Sequence, residues 1–557
     1  AALADQSVPE RIKALRAIAG ESQEAVKDFI AGCGNRARIR QSFWVMNGLY
    51  LAATPDVIYA LAERPDVAWI SHNGEVRIPD FTVNEGAGNA RAAEWNIRKI
   101  MADSCWAAGY TGQGIIIGLT DTGVDHTHPA LQGKWSGYWH VAQGMPPSST
   151  PYDDHGHGTH CMGTILGGDG PGPFADDIGV APGARFAAAK VLNSSGSGSD
   201  AQCVEGLQFI ADLKESVDVR VVSNSWAGSR SDTFCYPVCR TLRAIDILPV
   251  FANGNYHPAL ASAPANFAVT IGVGATTIED TVTGFSCRGP APDSAPWNYQ
   301  PDWYRPDWNR IKPNLSAPGF NIRSSIPGGA YQAWQGTSMA TPHVAGAVAI
   351  LCQKNPNLNV FMLYNLLLDN CDRPAAGAPY PNNAYGWGRL NVWKSLQNVT
   401  TIPIPYVINT GHQLTDSAPG GNGNGQFEPG ETVKIRVTLL NIGANAHDVA
   451  AVLITSDNYL TIADDSAFFG DIPRNGQAVN AADPYVLASH PLTPSGHQAE
   501  LNLIVTARGD SGNFCDTTSF TCVIGSPPPA YVIWKDDFEY DGGLDSLNNY
   551  WQVIAPT

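Results

Sequence analysis

Three segments set a carboxylate, imidazoles and a hydroxyl among glycines: Asp121-Thr-Gly-Val-Asp-His-Thr-His-Pro129, His155-Gly-His-Gly-Thr-His-Cys161 and Gly336-Thr-Ser-Met-Ala-Thr-Pro-His-Val-Ala-Gly346. Acyl transfer needs a nucleophile, a base that titrates near neutrality, and a carboxylate that fixes the base's tautomer. Asp121 follows an apolar run, Gly114–Thr120, where a carboxylate can be held rigid and partly desolvated. His157 opens a segment with helical spacing (Met162, Ile165, Leu166), and its glycine neighbours let backbone come close. Ser338 precedes Val344, Val348, Leu351 and Cys352, again at helical spacing. A serine at a helix amino end sits among free N–H groups and a positive dipole end, which suits a developing oxyanion. Pro342 is compatible with a first turn, near the limit of tolerance.

These residues must be carried on a scaffold, and the pattern from about Trp95 to Leu396 supplies one. Uniformly apolar runs (Gly114–Thr120, Val219–Asn224, Ile247–Ala252, Ala268–Val273) read as parallel strands covered on both faces. Helical stretches such as Cys203–Leu213 lie between them, which predicts a doubly wound α/β domain with its site at the carboxyl ends of the strands. Residues 1–80 read as a small α/β unit: short helices around Ile12, Leu15 and Ile18 and around Val26, Phe29 and Ile30, a helix over Asp56–Arg64, and a strand at Val67–Ile70. Residues 81–95 form a polar linker open to cleavage, and 96–400 the catalytic domain. Alternation at Val433, Ile435, Val437 and Leu439 makes 401–526 a β-sandwich. Residues 527–557 begin with the stiff linker Ser526-Pro-Pro-Pro529 and read as the start of a further module.

The three segments, in this order, resemble the subtilisin-like serine proteases (the subtilase family), and within them the bacillopeptidase F type. Ile178-Gly-Val-Ala-Pro-Gly183, Asn224-Ser-Trp226, Ser316-Ala-Pro-Gly319 and Tyr385-Gly-Trp-Gly388 carry the same resemblance. It covers roughly 95–400 well and 40–80 more loosely. It implies a secreted endopeptidase in which Asp121 orients His157, His157 is general base and then acid, and Ser338 is the nucleophile. Asn255, in Phe251-Ala-Asn-Gly-Asn255, matches the side-chain donor of the oxyanion hole. Ser225, Trp226, Ala227 and Gly228, with Ala252, Asn253 and Gly254, match the segments that line the substrate cleft. Residues 1–80 would be an inhibitory prodomain removed by self-cleavage between about Asp80 and Trp95. The partners implied are protein or peptide substrates and the chain's own prodomain, on a monomer.

Two rival readings start from the same residues. The histidines 126, 128, 155, 157 and 160, with Asp153 and Asp154, resemble a transition-metal cluster by composition, yet no His-Glu-x-x-His pattern is present. A catalytically silent relative is the other rival, and the intact Asp121, His157, Ser338 and Asn255 set argues against it. No cofactor is required for acyl-enzyme chemistry. Asp416, Asn422, Asn424, Glu428 and Glu431 space oxygen donors around glycine turns, an arrangement calcium favours; a plain Asn-Gly turn leading into a strand fits it too. His160 and His343 read as packed structural histidines, and Cys161 as a small buried thiol one turn after His157.

Composition bounds the rest. The chain has 557 residues, 44% hydrophobic and 15% charged, with 56 glycines and 40 prolines, which excludes a disordered or coiled-coil protein and predicts many turns. A net charge of −17 argues against a nucleic-acid or anionic-membrane binder. No apolar run approaches the roughly 18 residues of a membrane span. The chain begins at Ala1 without a basic-then-apolar leader, so a signal peptide has been removed or the chain is trimmed. Eleven cysteines, with Cys235/Cys239, Cys352/Cys371 and Cys515/Cys522 close in sequence, favour an oxidising setting with disulfides; the odd count leaves one thiol free, best assigned to Cys161.

Overall fold

The computed structural model describes residues 8–84, 93–168, 178–299, 302–303, 310–400, 405–417, 420–441, 443–474, 476–510 and 512–525, and the backbone of 551–554. The linker Ser526–Pro529 lies outside the described residues, as does most of the linker 81–95. The chain divides into two compact units, one holding Val8–Asn298, Asn309–Val399 and Gly542–Thr557, the other Thr400–Asp541.

In the first unit seven parallel strands form the central sheet, in the order Leu315–Pro318, Ile271–Thr276, Leu248–Ala252, Val219–Asn224, Ile116–Asp121, Arg185–Lys190, Trp135–Val141. The chain enters the sheet at Ile116–Asp121, goes to the edge at Trp135–Val141, fills the gap with Arg185–Lys190, then crosses to Val219–Asn224 and builds outward on the other side. That reversal is where an open α/β sheet opens a crevice at its carboxyl edge. Every residue of Val219–Asn224, Leu248–Ala252 and Ile271–Thr276 is buried, including Arg220, Ser223 and Asn224 beside the apolar ones. Helices His157–Leu166 and Thr337–Lys354 pack against each other, and the second spans the strands on its side of the crevice. Helix Asp200–Leu213 packs against Arg185–Lys190 and starts with a capping box, Ser199 and Gln202 each holding the other's backbone N–H.

The N-terminal residues form helix Val8–Gly32, strands Ala37–Phe43 and Gly48–Ala53, helix Pro55–Ala62 and strand Trp69–His72, around Val26, Ile30, Leu49, Leu51, Val57 and Leu61. Where short helices are expected there is one helix of 25 residues, because its buried positions Ile12, Ala19, Val26 and Ile30 continue a single stripe at helical spacing. This element docks on Asp200–Leu213: the Trp44 indole donates to Asp212 at 2.8 Å and Arg16 pairs with Asp212 and Glu215. Backbone of Trp551–Ile554 pairs between Gly48–Ala53 and Trp69–His72, so the expected start of a further module lies, at these residues, in the N-terminal sheet.

The second unit is a sandwich of antiparallel strands in two sheets around one core. Thr432–Asn441 buries Val433, Ile435 and Val437 between more exposed neighbours and then Leu439, Leu440 and Asn441 together, and His497–Arg508 buries Ala499, Leu501, Leu503 and Val505.

The expected disulfides are not formed: all eleven cysteines are thiols. Cys515 and Cys522 stand seven residues apart on one extended strand, Phe514–Ile524, and at ~3.4 Å per residue cannot meet. Cys235 and Cys239 lie a helical turn apart, both buried and unbonded, where they fill core space as small apolar groups.

Candidate active site

Asp121 ends its strand fully buried. Its Oδ1 accepts from Thr122 N at 2.7 Å and from His157 Nδ1 at 2.8 Å, which fixes the tautomer that leaves Nε2 facing the cleft. Burial alone would strip the His157 proton, but the Asp121 charge, Cys161 and the hydrogen bonds to both together outweigh burial and raise the imidazole well above its ordinary value. The glycine after it is obligatory: a Cβ on Gly158 would stand 2.0 Å from the Gly123 carbonyl oxygen. Lys190 braces the same corner from the neighbouring strand, donating to Thr122 O and Leu192 O and pairing with Asp154 at 2.6 Å.

Ser338 is the second residue of helix Thr337–Lys354. Pro342, four residues on, has no N–H to give the Ser338 carbonyl. That carbonyl instead accepts from Ser225 Oγ at 2.9 Å and Cys161 Sγ at 3.5 Å, so the proline ties the serine to two neighbouring elements. Ser338 Oγ donates to Ser225 O at 3.1 Å, and the buried His157 Nε2 has no hydrogen-bond partner. A turn about the serine's Cα–Cβ bond is what would bring the two together.

Asn255 is oriented by Thr337: its Oδ1 accepts from both the Thr337 N–H and hydroxyl at 2.8 Å, which aims its Nδ2 outward. That nitrogen donates to the carbonyl oxygen of Asp80 at 2.7 Å. The chain's own segment Glu75–Asn84 therefore runs through the crevice. Arg77 exchanges both backbone hydrogen bonds with Ala227, Ile78 N donates to Gly196 O at 3.0 Å, and Glu75–Arg77 pairs antiparallel with Ser197–Ser199. Beyond Asp80, Thr82–Asn84 pairs with Ala333–Gln335.

The other cleft candidates divide. Ala227 pairs directly with the bound segment, and Ser225 holds Ser338 from behind. Trp226 is buried with its indole on Thr120, Gly228 N donates to Ala263 O, and Ala252 is interior strand. Asn253 holds Cys287 O and Gly254 N meets Thr337 Oγ1, so these two support the floor rather than touch the segment.

The histidines do not converge on a metal. His126 stacks on Trp135, His128 holds Ala330 O, and His160 lies flat against Trp334 with centroids 4.5 Å apart. Burial, then His157, lowers the His160 pKa to about 3, and burial lowers His343 to about 4. Asp153 caps Thr159 and Thr122. Cys161 Sγ lies 3.8 Å from His157 Nδ1. In the second unit, Asn422 and Asn424 both turn their amide N–H groups to Glu428, Asp416 accepts from Gly425 N, and Glu431 from Asn422 N and Glu428 N. The two asparagine oxygens accept backbone N–H groups while their amide N–H groups face the Glu428 carboxylate, so as they stand these side chains do not converge their oxygens on a calcium ion.

Lys190 and Trp334 had no motif to mark them, and Thr337 was not singled out within the Gly336–Gly346 segment, since each acts through a partner remote in sequence.

Residues 112–388 match the model of the Subtilase family. Bacillopeptidase F of Bacillus subtilis (strain 168) is 33% identical over 430 residues, 70% of this chain but 28% of that protein. Alkaline protease of Alkalihalobacillus alcalophilus is 30% identical over 344 residues, covering 62% of this chain and 77% of the relative. Subtilisin E of Bacillus subtilis (strain 168) is 29% identical over 378 residues, covering 67% and 86%. The chain belongs to the subtilase family. It is a serine endopeptidase of that family, and it spans only 28% of the length of the Bacillopeptidase F it matches. No described helix is long and apolar enough to cross a membrane.

Proposed function

We propose that this subtilase is a self-processing proenzyme, with residues 1–80 acting as an intramolecular inhibitor of the catalytic domain. The observation that supports this most is Asp80: its carbonyl oxygen takes the Asn255 side-chain N–H, and the segment around it pairs with the crevice as an added strand. In this reading Ser338 attacks the carbonyl carbon while His157 Nε2 takes its proton, with Asp121 stabilising the imidazolium. Asn255 stabilises the negative oxygen, and His157 returns the proton to the leaving nitrogen. Water then resolves the acyl-enzyme by the same route in reverse.

Protein or peptide substrates would follow the track now held by Glu75–Asn84, pairing with Ala227 and Gly196. Secretion and a monomeric state belong to the same proposal through the family resemblance; the thiols lend no support to an oxidising compartment. Acyl-enzyme chemistry on Ser338 needs no calcium, and the loop from Asp416 to Glu431 does not hold its side-chain oxygens for one as it stands. The test is the intact mass of the chain and of Ser338→Ala during hours at neutral pH. Loss of a piece near residues 80–95 by the wild type alone is expected. If both stay whole and a serine-directed phosphonate fails to label Ser338, the reading is wrong.

A further inference from the structure

Of the zone open to cleavage, 80–95, the geometry points to one bond: we propose that maturation cuts Asp80–Phe81, and that Phe81 is selected by an aromatic pocket of Trp334, His155 and His157. This rests on the proenzyme reading above. Three observations converge on it. First, Asp80 is the residue whose carbonyl oxygen reaches the Asn255 donor, at 2.7 Å. Second, the Phe81 ring lies 4.7 Å from Trp334, 5.5 Å from His157 and 6.1 Å from His155, centroid to centroid. Third, pairing continues on both sides of the bond, through Arg77 to Ala227 before it and Thr82 to Gln335 after it, so the chain is gripped across the reacting carbonyl.

The pocket is rigid. Trp334 is 5% exposed, its flat face rests on His160, and its indole N–H is held by Gln332. His155 is held neutral by burial and by His157, which suits it to line an apolar wall. An aromatic side chain immediately after the scissile bond therefore stacks beside the general acid that must protonate its own nitrogen. The step balances. Ser338 Oγ bonds to the Asp80 carbonyl carbon, its proton passes through His157 to the Phe81 nitrogen, and the Asp80–Phe81 bond breaks. Water then cleaves the ester, giving the Asp80 acid and restoring the Ser338 hydroxyl.

The inference extends to substrates: peptides with a bulky aromatic residue on the leaving-group side are preferred over alanine there. The test uses the full chain, with mass and amino-terminal sequence read over time for wild type, Phe81→Ala and Phe81→Tyr. A new amino terminus at Phe81 is expected, with Phe81→Ala slowed about tenfold and Phe81→Tyr near wild type, the size of a lost aromatic pair. A terminus elsewhere in 82–95, made by the wild type and not by Ser338→Ala, overturns the bond assignment and leaves the proenzyme reading standing. Equal rates for Phe81→Ala and wild type overturn the pocket. If the wild type stays whole and a serine-directed phosphonate fails to label Ser338, the proenzyme reading fails. A synthetic Glu75–Asn84 peptide given to enzyme opened by a trace of added protease then decides this inference: a cut at Asp80–Phe81 upholds it, any other result overturns it.

Discussion

Replacing Asn255 by alanine separates the two duties of that side chain. Its Nδ2 makes one hydrogen bond to a carbonyl oxygen in the ground state, 2.7 Å long, and such a neutral bond contributes about 1 kcal/mol net. In the tetrahedral intermediate the same oxygen is an anion in a buried site, where losing one donor costs about 100- to 1000-fold in turnover, roughly 3–4 kcal/mol, a magnitude established on a subtilisin. The expected result is a kcat lower by two to three orders of magnitude, on the order of 100-fold or more, with KM changed by about fivefold at most. The second duty is structural: Oδ1 accepts two hydrogen bonds from Thr337, which Asn255→Ala leaves unmade at a cost of about 1–3 kcal/mol of stability. Thr337→Val, which keeps the backbone donor, is the control and should lose stability with less loss of turnover. Steady-state hydrolysis of a peptide would be measured on enzyme matured in trans by a trace of wild type. A fall below about tenfold, or one carried wholly by KM, would refute Asn255 as the oxyanion donor.

Three further outcomes follow from the same contacts. The buried carboxyls of Asp200 and Asp232 both lie above their ordinary pKa, through burial first and, for Asp200, then its partner's charge; Asp200 also accepts from Gly74 N at 2.8 Å. A raised carboxyl pKa favours the folded, docked form below the unfolded value and loses that favour as pH rises through the folded one. The N-terminal unit should thus release faster at alkaline than at acid pH, and Asp200→Asn should flatten that profile; an unchanged profile in the variant refutes it. Mercurial modification of Cys161, 3.8 Å from His157 Nδ1, should abolish turnover, and Cys161→Ala should stay active but resistant; sensitivity in that variant would move the effect to another thiol. Chelation should leave the melting temperature of the second unit unchanged, because Asn422 and Asn424 turn N–H groups rather than oxygens to Glu428. An ion bound at about 100-fold over its Kd would add roughly 2.7 kcal/mol, so a rise of several degrees with calcium would contradict that.

Much of the scaffold was legible because it follows from local chemistry. Apolar runs such as Ile247–Ala252 read as strands covered on both faces, and the alternation of Val433 to Leu439 as a strand with one face inward. The order of Asp121, His157 and Ser338 marked a constellation through its resemblance to the subtilases, and each stands within two residues of a glycine, at the end of a strand or the start of a helix. Cysteine spacing misled, because closeness in sequence says nothing about whether two Sγ atoms can meet on one rigid strand or helix.

What the tertiary structure alone decided is how remote residues act together. Pro342 deprives Ser338 of a helical partner, and Ser225 and Cys161, 113 and 177 residues away, supply it. Thr337 aims Asn255, and Asn255 in turn meets Asp80 across 175 residues. Side-chain type is written in the sequence, whereas the direction of a hydrogen bond is set only when packing brings donor and acceptor within about 3 Å. For that reason the chemistry could be read from one chain, and the particular bond held against it could not.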